Sequence, residues 1–197
     1  MTRSLMHGNI IQSGVIEVKK RIALILIFTV ILFSVLYFAS ILAFSDEELK
    51  TLMREAEEIL KRRYTVLDIF LNNFLISLIM FIPVAGPLVG GYIIYVTGRV
   101  IGVVANSTGV PSILLISLTI LTFYGLLEFL AYGTAFTESI LLTYSIFRRN
   151  VRRESRWILI SLGATALLLL LAATIEYLLI QFFGQIYPDL EGFTSRI

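Results

Sequence analysis

The sequence predicts an all-α, polytopic α-helical integral membrane protein with about five transmembrane helices and one interfacial amphipathic helix. Its composition is 57% hydrophobic and only 15% charged, and its mean hydropathy is +0.89, which sets it apart from ordinary soluble domains. Long apolar stretches also alternate with short polar connectors. The 197 residues have room for several spans of about 20 residues, but not for a soluble catalytic domain as well. We therefore expect one membrane domain over 1–197.

The first apolar stretch predicts a transmembrane helix over 22–44. Its roughly 23 residues are enough to cross a bilayer, and no small-residue cleavage site follows them, so a permanent span is expected rather than a signal peptide. Lys19, Lys20 and Arg21 precede the span, and such a basic flank is retained on the cytoplasmic side. The N-terminus is therefore predicted to be cytoplasmic.

A more polar helix is predicted next, over 46–63. Ser45 and Glu48 have the spacing of a capping box, which indicates a helix start near Asp46. Apolar residues then recur every three or four positions, with charged residues on the rest of the circumference. Such a helix can lie in the headgroup layer, pack on the bundle or bind a partner, and we favour the first two uses.

Two apolar segments, 66–82 and 88–105, flank the interruption Pro83–Pro87. Five residues are enough for a tight connection between helices, and proline suits a first helical turn. The pattern favours a transmembrane hairpin, with a re-entrant pair as the alternative. The polar cluster 106–109, followed by Pro111, predicts the turn that leads to the next span.

The segment 112–147 is apolar over 36 residues, longer than one ordinary span and shorter than two comfortable ones. The loop predicted over 148–156 carries five arginines and should lie on the same side as the N-terminus. An odd number of crossings is then required, so we expect a long or broken segment, with one full span and a bent, interfacial or re-entrant piece. The last span, 157–183, places the acidic C-terminal end outside.

Polar residues within the apolar segments form a predicted intramembrane site. Glu128 leads it, because a carboxylate in an apolar stretch costs a few kcal/mol and is usually paired, protonated or hydrated. Two hypotheses follow: an ion, proton or headgroup site, or a hydrogen-bonded glutamate that fastens two helices, and the second is slightly favoured. The full set of predicted residues is Glu128, Tyr124, Tyr132, Asn72, Asn73 and Glu176.

The neighbours of these polar residues can be predicted in part. Tyr124 and Tyr132 lie one helical turn before and after Glu128, so their hydroxyls are expected to help satisfy its carboxyl group. Glu176 could face Arg99 or Asn73, while Glu138 lies nearer the arginines and is expected to pair with Arg148 or Arg149. Small-residue spacing favours close helix packing at Gly86, Gly90, Gly98 and Gly102.

Several classes of function are disfavoured. The net charge of +2 does not indicate nucleic-acid binding. The sequence contains no cysteine and one histidine, and it carries no phosphate-binding glycine loop. No catalytic residue, metal site or cofactor is predicted, so we expect a protein that is not an enzyme. The expected partners are the lipid bilayer and either a second copy or another membrane protein.

Four features of the central part of the chain occur together in one order: Ile69–Asn73 opening a span, the glycine-rich stretch Gly86–Gly98, Asn106 before a break, and Tyr124–Glu128. With these features, Leu67 to Arg149 resembles the stage II sporulation protein M family of bacterial and archaeal membrane proteins. In that family the last motif reads as a histidine-glycine pair followed three residues later by glutamate, and Tyr124 stands in the histidine place here. The resemblance implies a multi-span helical protein, and we expect a non-sporulation member. The composition is compatible with an archaeal source.

Two functional hypotheses result. In spore formers the named member is a scaffold that localises peptidoglycan-degrading proteins, but that role is not transferred to this chain. Short connectors, small-residue packing faces and the absence of catalytic groups instead favour a non-enzymatic component of the cell membrane that scaffolds or recruits partners. This is the first hypothesis. The alternative is a transporter or permease subunit that moves a small solute or ion through a site near Glu128. It is motivated by the intramembrane acids and the proline-broken hairpin, which discontinuous-helix transporters use near the midplane.

Overall fold

The computed structural model describes the backbone of residues 2–61, 64–149 and 151–186, and the side chains of 17–45, 47–54, 64–149, 151 and 154–182. Every regular element in these ranges is a helix, as predicted. The acidic C-terminal end and the last two residues of the predicted amphipathic helix lie outside them. The helices are α1 (Thr2–Ile41), α2 (Asp46–Lys61), α3 (Val66–Met80), α4 (Ala85–Thr108), α5 (Ser112–Leu121), α6 (Tyr124–Phe147) and α7 (Val151–Ile186).

The helices include several potential membrane spans. Within the described residues, Glu17–Ile41, Ala85–Thr108 and Glu154–Phe182 are long and apolar enough to cross a bilayer, and the bent pair α5–α6 would make a fourth. Helix α3 is apolar but has 15 residues, which at 1.5 Å per residue gives about 22 Å, short of a core of about 30 Å. The multi-pass prediction is confirmed, whereas length and composition do not give five spans.

The turn between α3 and α4 is fastened to α6. Backbone N–H of Val84 donates to Thr143 Oγ1 at 3.0 Å, and Ser139 Oγ donates to the carbonyl oxygen of Ile82 at 2.7 Å. Val84 has φ of 66°, which is a strained value for a β-branched residue. These bonds satisfy polar backbone groups of the turn that would otherwise face an apolar environment.

Several helix boundaries differ from the predictions, two of them at polar segments. Helix α4 continues through the predicted turn cluster to Thr108 and ends at Gly109, whose φ of 70° is the left-handed conformation that terminates many helices. Most of the predicted arginine loop forms the start of α7, which begins at Val151. The physical reason is that arginine and glutamate favour helix and no glycine or proline interrupts the sequence until Gly163.

The helix directions define two ends of the bundle. Close approaches of Gly98 to Leu36 and Gly102 to Ser40 show that α4 runs parallel to α1, whereas α6 runs antiparallel to α1 and α7. The Arg21 end therefore contains the start of the apolar span within α1, the α3–α4 turn and the start of α7. The Arg99 end contains the α1–α2 and α4–α5 connections. Between them lies a core that includes Leu32, Met80, Ile94, Phe129 and Leu169.

The four predicted packing glycines are all buried and lie against parts of this same chain. A Cβ at Gly86 would meet the carbonyl of Met80, and one at Gly90 would meet the Met80 side chain. On the other half of α4, a Cβ at Gly98 would meet the Leu36 carbonyl oxygen and one at Gly102 that of Ser40. These glycines therefore serve contacts within the monomer, between α4 and its neighbours α3 and α1.

Replacing Gly98 by alanine is expected to destabilise the fold by about 1 to 3 kcal/mol, because the added methyl meets backbone that must move. Gly91 on the same helix has open space where its Cβ would be, so Gly91→Ala is the matched control and should be neutral or stabilising through helix propensity. Thermal unfolding in detergent measures both. Equal effects of the two variants would contradict the close α1–α4 contact.

Candidate functional site

A sharp bend separates α5 from α6 in the middle of the predicted long segment. The two helices meet at 87°, and Phe123, at the break, has φ of 64°. Next to the break, Thr29 Oγ1 donates to the carbonyl oxygen of Phe129 at 3.2 Å, and the rings of Phe33 and Phe129 stack with centroids 3.9 Å apart. Thr29 is the midpoint of the span Glu17–Ile41, so α6 begins near the middle of the bundle.

Glu128, on the first turns of α6, meets α3 at this depth. Asn73 Nδ2 donates a hydrogen bond to Glu128 Oε1, and Asn72 Nδ2 donates to Asn73 Oδ1 at 3.3 Å. Both Asn73 and Glu128 are partly buried, whereas Asn72 is exposed. The structure therefore brings together the asparagine pair and the glutamate that the sequence analysis singled out separately.

Glu176, on α7, belongs to the same cluster. It lies close enough to Glu128 for the two carboxyl groups to interact electrostatically, and Tyr124 and Tyr132 are within range of both. Among the described residues, Glu176 forms a hydrogen bond with neither of its two predicted partners: Asn73 donates to Glu128, and Arg99 lies at the other end with Glu48. In the described part of the chain, neither tyrosine hydroxyl hydrogen-bonds to Glu128, contrary to expectation. The donor to the carboxylate comes from another helix, α3, because the helical spacing brings the tyrosines near it without turning their hydroxyls onto it.

A buried ion network at the Arg21 end was missed by the sequence analysis. Arg21 Nη1 donates to both carboxylate oxygens of Glu138, at 2.7 and 2.8 Å, and its Nη2 donates to Glu154. Ser161 Oγ adds a bond to Glu138 at 3.0 Å, and the guanidinium lies 4.7 Å from the centroid of the Trp157 ring. The network joins α1, α6 and α7.

The expected pairing of Glu138 with Arg148 or Arg149 is therefore wrong. Those arginines are exposed at the end of α6, whereas Glu138 is 1% exposed and faces the inside of the bundle. Sequence proximity suggested the wrong partner, because the cation comes from 117 residues earlier in the chain. The sequence did contain one indication of this network. Arg21 is a cation next to the first apolar stretch, and its position on the helix allows its side chain to face the bundle.

Replacing Glu138 by alanine is expected to destabilise the protein by about 3 kcal/mol, since removing one partner of a buried pair leaves the other charge insufficiently compensated. Glu138→Gln keeps an acceptor for Arg21 and should lose less. Unfolding in detergent measures both, with Glu47→Ala on the exposed surface of α2 as the control. If Glu138→Ala lost no more stability than the control, the Arg21–Glu138 pair would not contribute to the stability of the fold.

Arg99 organises the opposite end. Its guanidinium donates to the carbonyl oxygens of Ala39, Leu42 and Ala43 at 2.7 to 3.1 Å, where α1 ends. Its Nε donates to Glu48 Oε1 at 2.9 Å, and the cation lies 3.8 Å from the centroid of the Phe44 ring. A cation at a helix C-terminus satisfies free carbonyl groups and complements the helix dipole. Arg99 thus ends α1 at Ile41, before the predicted residue 44, and fixes α2 to α4.

Acid should release this link. The hydrogen bond from Arg99 holds the pKa of Glu48 below its ordinary value of 4.5, so the contact stabilises α2 docking above that value and is lost as pH falls through the lowered pKa. The protection factors of α2 amides, in which the slower intrinsic exchange at low pH is corrected for, should accordingly fall between about pH 5 and 3. Glu48→Gln should exchange faster already at neutral pH, and Glu47→Gln should behave like the unchanged protein. If protection of the α2 amides depended neither on pH nor on Glu48, the Glu48–Arg99 contact would not hold α2 in place.

The polar residues thus form three groups: two ion-pair networks at the ends and a carboxyl cluster between them. Within the described residues, no group of three histidine, cysteine, aspartate or glutamate side chains could hold a metal ion. The central cluster can accept hydrogen bonds and bind or release positive charge. Comparisons with known protein families, curated proteins and solved structures give no match for this chain.

Proposed function

We propose that this protein is a transporter or permease subunit that moves a small solute or ion past Glu128. The observation that carries the proposal is the 87° break between α5 and α6 beside the Asn73–Glu128 hydrogen bond. Non-helical backbone at membrane depth is tolerated where protein or a water-filled cavity surrounds it. Transporters use such broken helices to present helix ends and polar side chains to a substrate near the midplane.

The position of the cluster favours transport over a purely structural role for Glu128. The two ends of the bundle already have strong polar links, through Arg21 and Arg99, that hold α1, α4, α6 and α7 together. A second carboxyl group, Glu176, close to Glu128 adds repulsion rather than stability when both are ionised. A helix fastener needs one acid and a donor, whereas paired intramembrane acids are typical of ion and proton pathways.

We also propose the orientation of the subunit in the cell membrane. Exposed cations gather at the Arg21 end, namely Lys19, Lys20, Arg148, Arg149 and Arg156. The positive-inside tendency then favours a cytoplasmic Arg21 end with the N-terminus inside. Five crossings with an outer C-terminus follow if α3 also crosses the bilayer. The resemblance to the sporulation protein M family remains a proposal of the same kind.

A second candidate function is the recruitment of partners as a membrane scaffold. It is favoured by α2, which is held at the Arg99 end by the Glu48–Arg99 pair and by burial of Leu52. Glu47, Lys50 and Arg54 are exposed on this helix, which gives a charged surface in a fixed position. A homo-oligomer or another membrane protein is the proposed partner, and an interface would have to use surfaces other than the four buried glycines.

Access of water to the cluster separates the two candidates. The chain has no cysteine, so a single one can be placed at position 73, 128 or 176 and treated in vesicles with a membrane-impermeant maleimide. Transport predicts labelling at one or more of these positions, much faster than at Leu32→Cys, which is in the core at 1% exposure. Glu47→Cys serves as the accessible control. Protection of all three positions would overturn transport in favour of the scaffold.

A further inference from the structure

We infer that Glu128 and Glu176 share one exchangeable proton, so that the ligand bound by the central cluster is H⁺. The inference deepens the proposed function, on which its physiological use rests, by naming the ion. It follows from the charges around the pair, from the hydrogen-bond donor on α3 and from a tyrosine beside the cluster.

The first argument is the balance of charge. Two ionised carboxylates within electrostatic range of each other would place two negative charges in an apolar bundle, at a cost of several kcal/mol. The buried cations Arg21 and Arg99 are engaged at the two ends, with Glu138, Glu154 and Glu48. Within the described residues, no lysine or arginine makes an ion pair with either member of the pair. One bound proton removes half of the charge and the mutual repulsion.

The second argument is the identity of the groups that face the pair. From α3, Asn73 presents its Nδ2 donor to Glu128, whereas a metal ion would require the amide oxygen. The acid of α3, Asp68, is engaged at the helix start with Thr65. Among the described residues of α1, α4 and α5, no ionisable side chain acts on Glu128. The ionisable group that does act on it is Glu176, and both acids in turn act on the two tyrosines.

The third argument is Tyr132. It is 5% exposed, both carboxyl groups act on it, and its hydroxyl makes no hydrogen bond to any residue that the structure describes. A tyrosine hydroxyl can donate to a carboxylate or accept from a carboxylic acid. The Tyr132 hydroxyl can therefore donate a hydrogen bond to the carboxylate that forms when the proton leaves. The departing proton passes to water and leaves one additional carboxylate charge in the cluster.

Dicyclohexylcarbodiimide tests the inference, because it enters from the lipid and reacts with protonated carboxyl groups. The full-length protein in liposomes is treated at a series of pH values, and the modified residue is located by peptide mass spectrometry. Glu128 or Glu176 should be labelled at low pH, and the rate should fall about tenfold per pH unit once the shared proton is lost. Ion-paired Glu138 should stay unlabelled throughout. Labelling at neither position, or at a rate that does not change with pH, would overturn the inference.

Variants and salt make the test specific. Glu176→Gln removes the neighbouring negative charge and should move the decline in Glu128 labelling to lower pH, whereas Glu47→Gln on the exposed surface of α2 should leave it in place. If Glu128 labelling declined at the same pH in Glu176→Gln as in the unchanged protein, the two groups would not share a proton. If Na⁺ at constant pH and ionic strength protected the two carboxyl groups from labelling, the bound ion would be a metal cation. That result would overturn the inference.

The test is separate from that of transport. Proton exchange does not require a path wide enough for a maleimide. If carbodiimide labelling depended on pH while cysteines at 73, 128 and 176 were protected from the maleimide, the proton site would be supported and transport would be contradicted. If the cysteines were accessible and carbodiimide labelling did not depend on pH, transport would be supported and the shared proton would be contradicted.

Discussion

The free-energy cost of an unsatisfied polar group in an apolar environment governs the arrangement of this bundle. The end of α1, the α3–α4 turn and the buried guanidinium of Arg21 are each matched by groups from another part of the chain. Arg99 satisfies three carbonyl groups at the end of α1, and α6 supplies the hydroxyls that meet the α3–α4 turn. The same requirement places Glu138 and Glu154 around Arg21. The pairing of polar groups therefore helps to set helix boundaries and helix neighbours.

This constraint gives the central cluster its significance. At both ends, a guanidinium offsets the acids that face it. Between the ends, Glu128 receives a hydrogen bond from an uncharged amide and has another carboxyl group within electrostatic range. The bundle thus contains two networks that each include a buried guanidinium, and one carboxyl cluster that has no cation among the described residues and needs a positive charge from outside. A proton shared by the pair supplies that charge, and the bend before α6 opens the backbone at the same depth.

Close packing and polar pairing are coupled along α4. Glycines at positions 98 and 102 allow α1 to approach closely, and this approach brings the end of α1 within reach of Arg99. The arginine in turn binds Glu48 and fixes α2. A change at Gly98 should therefore disturb the surface helix as well as the core. The coupling explains how a scaffold surface and a transport site could coexist in one small subunit.

The sequence by itself determined the membrane class, the all-helical fold, the amphipathic α2 and the break within 112–147, because these depend on local composition and periodicity. It also singled out Asn73, Glu128 and Glu176 as isolated polar residues in apolar segments. Only the tertiary structure decided which of them meet, since the helices that carry them are distant in the chain. The partner of Glu138 shows the limit: a nearby arginine fits the sequence, but Arg21 fits the inward face of α6.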